Sequence, residues 1–471
     1  MIGWSRDLDD AGWRTWELPS RDAPDCDALR RHLSGRIWRD AEMPAPIVEV
    51  RIGKRRQSKR GMTALYTVVF NGSPNRLVEQ VYIGYEFQPG ALDAEYASAR
   101  AEATVVPALG QAVVRVPEAN LLLVAFPNDR QMRVPDEAAL RACVARIGPG
   151  RTMEGSQPCR LADSAFSVLR YVPGQRLTLR CRGRFETGPG TYQPFAFIAK
   201  QFSKADAARA VHASLVALDA HDSATTVRLP RPMGFDEQTG LVLMEELAGQ
   251  DLLRALGQID LGETMRAAGR LLAAFHQLPH VVGRRVSARE KLDEVRDVAR
   301  KIETYFPAVL PRLRACFDRC LAFSWNDESP AVLLHGAFRP KHVFLHQGRL
   351  ALIDVDGMRV GHPAHDIGHF LSALFYLEAQ ELLTTAERGI AVDRFLDGYS
   401  AHAPWPIEPA AVLWCTAALL VHKQARKYVV HLHGDRAEKV DRVLALAEGA
   451  LAACETLRCG ASLDVVRRVL G

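Results

Sequence analysis

Leu334-His335-Gly336-Ala337-Phe338-Arg339-Pro340-Lys341-His342-Val343-Phe344-Leu345 runs through His346-Gln347-Gly348 into Arg349-Leu350-Ala351-Leu352-Ile353-Asp354-Val355-Asp356, and this stretch decides how the rest of the chain is read. Two short runs rich in Val, Leu, Ile and Phe, 343–345 and 350–353, flank His346-Gln347-Gly348, which is a hairpin signal. The surroundings have a different texture. Gly262 to Leu278, Ala288 to Tyr305, Leu310 to Phe323, Pro409 to Val430 and Glu438 to Thr456 all carry apolar residues at helical spacing. A β-hairpin inside a helical half, leaving through two aspartates, points to a functional element.

Working outward, the N-terminal half reads as strands, and its order repeats. Ile47 to Arg51, a basic turn, Thr63 to Phe70, Tyr82 to Phe87, a helix over 91–103 and Leu121 to Asp129 form one copy. Phe166 to Tyr171, the turn Pro173-Gly174-Gln175-Arg176, Leu177 to Arg180, Phe197 to Phe202, a helix over 204–219 and Leu241 to Gly249 form the second. Tyr82-Ile83-Gly84-Tyr85-Glu86-Phe87 falls opposite Phe197-Ile198-Ala199-Lys200-Gln201-Phe202, so Tyr85 stands where the second copy has Lys200.

The spaced motifs resemble the catalytic loop and metal-binding strand of the aminoglycoside phosphotransferase and choline kinase-like family, whose pattern is H-G-D-x-x-x-x-N followed by I-D. His335 and Gly336 match it, His342 occupies the Asn position, and Asp354 matches the metal-binding Asp. His362-Pro363-Ala364-His365-Asp366 resembles the family's D-P-A-x-D segment, in which Asp366 takes the place of an Asp that braces the catalytic loop. Ala199-Lys200 matches the lysine-bearing strand, and Leu243 to Gly249 the hinge between lobes. The resemblance covers roughly residues 165 to 455 and is more particular to bacterial phosphotransferase-like proteins of unknown substrate. Those also carry a Y-x-P-G-x-R turn and an F-P-N-D segment, as Tyr171 to Arg176 and Phe126 to Asp129 do here.

The resemblance implies an α+β, bilobal protein-kinase-like fold, with a β-rich small lobe and a helical large lobe, preceded by a small-lobe-like α+β repeat. The expected partition is 1–150 for the N-terminal repeat, 160–250 for the small lobe with Lys200 and 251–471 for the large lobe. The implied activity is transfer of phosphate from ATP to a hydroxyl of a small molecule. In that reading Lys200 grips the nucleotide phosphates as a compact point charge. Asp354 holds Mg²⁺, which takes oxygen ligands, with His342 beside it; imidazole suits Mn²⁺ better. The backbone of Met244, Glu245 and Leu247 meets the adenine. Arg339 stands where protein kinases place a basic residue near the transferring phosphate, and His335 belongs to the catalytic loop. Asp356, two residues beyond Asp354, is expected on the same face of its strand, placed for a second ion or for substrate.

Two departures oppose a straightforward enzyme. The position of the catalytic Asp is Ala337, whose methyl accepts neither a proton nor a hydrogen bond. The helix after Lys200 contains no glutamate to pair with it; Asp206 and Asp219 are its only acids. The competing reading is therefore a pseudokinase, a nucleotide-binding or scaffold protein without transfer.

Composition bounds the rest. The 471 residues, at roughly 150 per domain, give about three domains. The apolar share is 48%, and 60 Lys and Arg against 55 Asp and Glu leave a net +5, which excludes a disordered chain and gives no concentrated basic face for nucleic acid. Six of those basic residues fall within Arg51 to Arg60, where a solvated hairpin turn accounts for them. The apolar runs are too short to span a bilayer, and the first residues lack the apolar core of a secretory signal. Nine cysteines without a CxxC pair fit a reducing compartment, so a cytoplasmic protein is expected. The oligomeric state is left open.

Overall fold

The computed structural model describes residues 26–38, 45–53, 56–58, 61–72, 76–107, 109–147, 160–220, 227–287, 290–296, 310–322, 330–425, 437–457 and 462–471. Most of the helix expected over 288–305, Phe323, the end of the helix expected to Val430, parts of the basic turn, and residues Cys159, Cys459, His431 and His433 lie outside them. The chain divides into two compact units: Met1–His212 with Pro232–Glu246, and Ala213–Arg231 with Leu247–Gly471. The first unit is built on sheets and the second is mainly helical, which is the α+β, kinase-like fold class expected from the motifs. Among the described residues no helix is long and apolar enough to cross a membrane.

The first unit contains the repeat. Strands β1 (Ile47–Ile52), β2 (Arg56–Ser58), β3 (Gly61–Gly72), β4 (Arg76–Glu86), β5 (Val113–Val116) and β6 (Leu121–Ala125) form one antiparallel sheet, ordered β1-β3-β4-β6-β5 with β2 on β3. Strands β7 (Arg160–Val172), β8 (Arg176–Gly188), β9 (Thr191–Phe202), β10 (Pro232–Asp236) and β11 (Leu241–Glu245) form the other, ordered β7-β8-β9-β11-β10. The topology is the same, with a helix at the same point of each copy, Leu92–Glu102 and Ala205–Asp219.

The register agrees as well. Glu86 pairs with Leu121 and Tyr85 with Leu122 in the first sheet, as Gln201 pairs with Leu241 and Lys200 with Val242 in the second. On the other side Thr63 lies opposite Tyr85, and Thr178 opposite Lys200. Register is fixed wherever a strand face is buried, because a one-residue slip would turn every apolar side chain outward. One pair of sizes has been exchanged between the copies. A Cβ on Gly84 would lie 2.0 Å from the Tyr66 ring, whereas the equivalent positions hold Ala199 and Cys181.

Alternation gives each sheet two faces. Tyr82, Leu121 and Leu123 of the first sheet pack with Leu29 and Leu33 of the helix Cys26–Ser34. The corresponding Phe197, Leu241 and Leu243 of the second sheet lie in a core with Leu140, Cys143 and Val144 of the helix Glu137–Ile147. That same core takes Ile83, Tyr85, Leu122 and Val124 from the opposite face of the first sheet. The sheets therefore stack back to face, and the face of the first that matches the Lys200 face is covered by the second.

The two motifs quoted with the resemblance lock this stack. Asp129 accepts from the Tyr171 hydroxyl at 2.5 Å and from the Gly174 amide at 2.6 Å, and the Phe126 and Tyr171 rings meet edge-on at 4.8 Å. Asn128 accepts from the amides of Thr104 and Val105 and donates to Val105 O. The turn between β7 and β8 is thus tied to the first sheet's last strand.

Candidate active site

The hairpin of the helical unit forms as its turn chemistry dictates. Strands β14 (Val343–His346) and β15 (Arg349–Leu352) are joined by Gln347 at φ 49° and Gly348 at φ 76°, the two left-handed residues of a primed two-residue turn. A short strand β12 (Gln250–Asp251) adds to β14, an element the sequence did not announce. The approach depends on Gly249, at φ 131°, where a Cβ would lie 2.1 Å from Leu345 O. Strand β13 (Val332–Leu334) delivers the chain to His335 and pairs with β16 (Arg359–Gly361).

Asp366 organises the loop between them. Its fully buried carboxylate accepts from the amides of His335 at 2.6 Å and Gly336 at 2.9 Å. His276 Nε2 lies 3.3 Å from the same group, and the other His276 nitrogen is 2.8 Å from the Tyr399 hydroxyl, which accepts from Trp405. Burial opposes the charge on Asp366, but the hydrogen bond and charge of His276, with His335, outweigh it and hold the carboxyl below its usual range. Gly336, at φ 78°, passes so close to Gly357 O that a Cβ would lie 2.2 Å from it. His276, Tyr399 and Trp405 carry no sequence signal that would have placed them behind the loop.

His335 is fully buried, and its Nε2 is 2.9 Å from Ile353 O, which ties the loop to the end of the hairpin. Burial lowers its pKa despite the pull of Asp366, so the ring is neutral and donates from Nε2. This is a positioning contact rather than an exposed acid or base. Asp354 follows with φ 61° and ψ 43°, a left-handed conformation that is costly for a residue other than glycine and is found at functional sites. Strand β15 ends at Leu352, and Asp356 sits in the 3-10 turn Val355–Gly357. The expected strand alternation of Asp354 and Asp356 therefore does not apply, because the chain leaves the ladder before either residue.

His342 Nε2 lies 3.3 Å from Asp354 Oδ2. The same nitrogen faces the Arg339 guanidinium, at 3.0 Å from Nε and 2.8 Å from Nη2. A lone pair that accepts from Arg339 leaves the ring proton on Nδ1 and is not offered to a metal. The Asp354 carboxylate suits a hard cation such as Mg²⁺, whereas His342 in this conformation does not. Among the described residues no group of three or more His, Cys, Asp or Glu is gathered for a metal. Ala337 is partly exposed, so a methyl stands at the position of the family's catalytic carboxylate.

The remaining candidates are distributed between the units. Lys200 sits within β9, 6% exposed, and belongs to the sheet unit with Met244 and Glu245. Leu247, also buried, begins the helical unit's share of that segment. Neighbouring Glu246, which the sequence reading passed over, is 2.8 Å from both Arg180 and Arg182 of β8. The helix after Lys200 spans Ala205–Asp219 and holds no glutamate.

The comparisons agree with the motifs. The model of the phosphotransferase enzyme family (APH) matches residues 184–408, just under half of the chain, and bears out the resemblance over that span. No curated protein matches the chain. Among solved structures, a macrolide 2′-phosphotransferase from Brachybacterium faecium is 18% identical over 66% of this chain and 97% of its own, with a TM-score of 0.40. An amicoumacin kinase in complex with AMP-PNP and Ca²⁺ is 16% identical over 67% and 93%, with a TM-score of 0.45. A choline kinase from Cryptosporidium parvum is 11% identical over 67% and 95%, with a TM-score of 0.44. Likeness at this level transfers no site residue.

Proposed function

We propose that the protein is an ATP-dependent phosphotransferase that acts on a hydroxyl of a small molecule in a reducing, cytoplasmic setting. The observation that carries the reading is the loop His335–Gly336 held by buried Asp366, with Asp354 in a left-handed conformation at the exit of the hairpin, inside the span that matches the phosphotransferase family. Phosphoryl transfer demands positioning and charge neutralisation more than covalent chemistry.

In this proposal Lys200 binds the nucleotide phosphates, the backbone from Met244 to Leu247 receives the adenine, and Asp354 holds Mg²⁺ or Mn²⁺. The metal would supply neutralisation of the phosphate charge. His342 joins it only by releasing Arg339, which is then freed toward the transferring group. Asp356 is the carboxylate available to orient the acceptor hydroxyl in place of Ala337. Loss of a positioned base costs typically 10²–10⁴-fold, which slows transfer without abolishing it.

The protein incubated with ATP, Mg²⁺ or Mn²⁺ and a panel of hydroxylated metabolites is expected to release ADP and a phosphorylated product. Absence of turnover where calorimetry shows ATP binding would overturn transfer and favour the second reading. That reading, a pseudokinase, rests on Ala337. If Ala337→Asp raises turnover, the machinery around the missing base is intact.

A further inference from the structure

Behind the catalytic loop the described residues of the helical unit gather several cations. Arg359 donates from Nη2 to Gly336 O and from Nε to Gly357 O, each at 3.3 Å, and its Nη1 is 4.0 Å from Glu294. Lys291, only 3% exposed, donates to the other Glu294 oxygen at 2.5 Å. Lys423 brings its Nζ to 3.1 Å from Nε2 of His369, a buried residue one turn beyond Asp366. Lys291 and Arg359 share the carboxylate of Glu294, whose charge also acts on Lys423.

The electrostatics follow the geometry. Burial, then Lys291, Arg339 and Arg359, push the Lys423 ammonium well below its ordinary value, and burial with Lys423 does the same to His369. Burial opposes the charge of Glu294, but Lys291, His422 and Arg359 hold it low. Cations gathered this closely repel one another, and a bound anion would relieve that repulsion. The chain also departs from regular helix at this point. The helix expected to run on from Pro409 stops at Leu419 and continues as a π-helical turn, Leu420–Ala425, which carries His422 and Lys423. Such turns concentrate at functional sites. Lys423 and Arg359 remain partly exposed, so an anion can reach them.

We propose that Lys291, Arg359 and Lys423 form the receptor for a phosphate group on the acceptor molecule, so that the substrate is a hydroxylated phosphate monoester. The substrate class rests on the phosphotransferase reading, whereas the anion site itself does not. Arg359 bonds the carbonyl of Gly336, next to Ala337, which puts the receptor beside the place where an acceptor hydroxyl would be presented. An incoming dianion would also offset the mutual repulsion of these three side chains.

The test reads binding without turnover. Inorganic phosphate is titrated by calorimetry and thermal melting into wild-type protein and the variants Lys423→Met, Lys423→Arg, Lys291→Gln and Lys200→Met. Phosphate is expected to bind and raise the melting temperature of the wild type, Lys200→Met and Lys423→Arg. Its affinity should fall at least ~10-fold in Lys423→Met and in Lys291→Gln, while phosphate-free Lys423→Met melts no lower than wild type. No phosphate effect on the wild type, an effect unchanged in both Lys423→Met and Lys291→Gln, or one lost only in Lys200→Met overturns the site. So does a Lys423→Met protein that melts well below wild type, which would make the cluster structural. With the site upheld, glucose 6-phosphate should bind more tightly than glucose, and the reverse order rejects the substrate class. Absence of ATP turnover alone would fail the phosphotransferase reading and leave the anion site standing.

Discussion

The two sheets of the first unit share one plan and have lost opposite halves of an ion pair. The second keeps Lys200 in its third strand, but the following helix, Ala205–Asp219, has no glutamate to offer it. The first has Tyr85 in the lysine's place, yet its helix Leu92–Glu102 carries Glu95 and Glu102, which pair with Arg130 at 2.6 and 3.0 Å. Packing accounts for the tyrosine. The Tyr85 face is filled by the second sheet and Tyr85 is 5% exposed, so an ammonium there would have no route to water or phosphate. Identical topology does not confer identical chemistry; the neighbour on each face decides which polar residue can survive. On this ground we expect the first copy to bind no nucleotide.

That contrast can be broken by substitution. Tyr85→Lys, which copies the second sheet's residue into the first, should cost the most, about 3–5 kcal/mol, because it forces an ammonium into a packed face covered by the second sheet; if urea unfolding shows a change under 1 kcal/mol, the covered-face account fails. Asp129→Ala comes next. It removes acceptors from Tyr171 and Gly174 and should lose about 2–4 kcal/mol for the two buried donors together, read in the same way. Lys200→Met should weaken ATP binding by about 1.5–3 kcal/mol with little effect on melting, and Tyr85→Phe should leave calorimetric ATP affinity unchanged. Glu95→Gln should be mildest, near ~1 kcal/mol, since Arg130 keeps Glu102.

Acid should separate the two units rather than the two sheets. Burial, then Lys291, pushes His365 down to about 3, and His335 and His369 are also lowered by burial. Such rings stay neutral in the folded state but take up protons when unfolded, so their stabilisation is complete above the ordinary histidine range and drains away as pH falls toward about 3. Asp366, held low, adds a loss that comes later, as pH drops through its own folded value. Hydrogen exchange should therefore show the helical unit opening at a higher pH than the sheets. Equal sensitivity in both would contradict the burial of these histidines.

Much of this was legible in the sequence because it is local. The hairpin around His346-Gln347-Gly348 is written in its turn residues, and the equivalence of Tyr85 with Lys200 in a six-residue match that register then confirmed. Asp366 as the brace of His335 and Gly336 was implied by the family resemblance, and its carboxylate does accept from both amides. What escaped depends on contacts between distant segments. His276, Tyr399 and Trp405 come from separate helices and loops, and no spacing announces their meeting. The departure of Asp354 and Asp356 from the strand depends on one left-handed residue, which an aspartate in a sequence does not advertise. The back-to-face stacking of the copies was likewise hidden, since a run such as Leu121 to Ala125 shows that both sides of a strand are covered without saying by what.

That stacking is directional. Two related layers that met through the same face, about a two-fold axis, would bury both lysine positions or neither. Here the contact is heterologous, so the layers form a short open-ended series with a beginning and an end. The helix Cys26–Ser34 closes the beginning. Lengthening such a series at its start would lay one more layer on the outer side and leave the Lys200 face of the last layer untouched, which makes the N-terminal end the side on which this architecture can vary with least disturbance to that face.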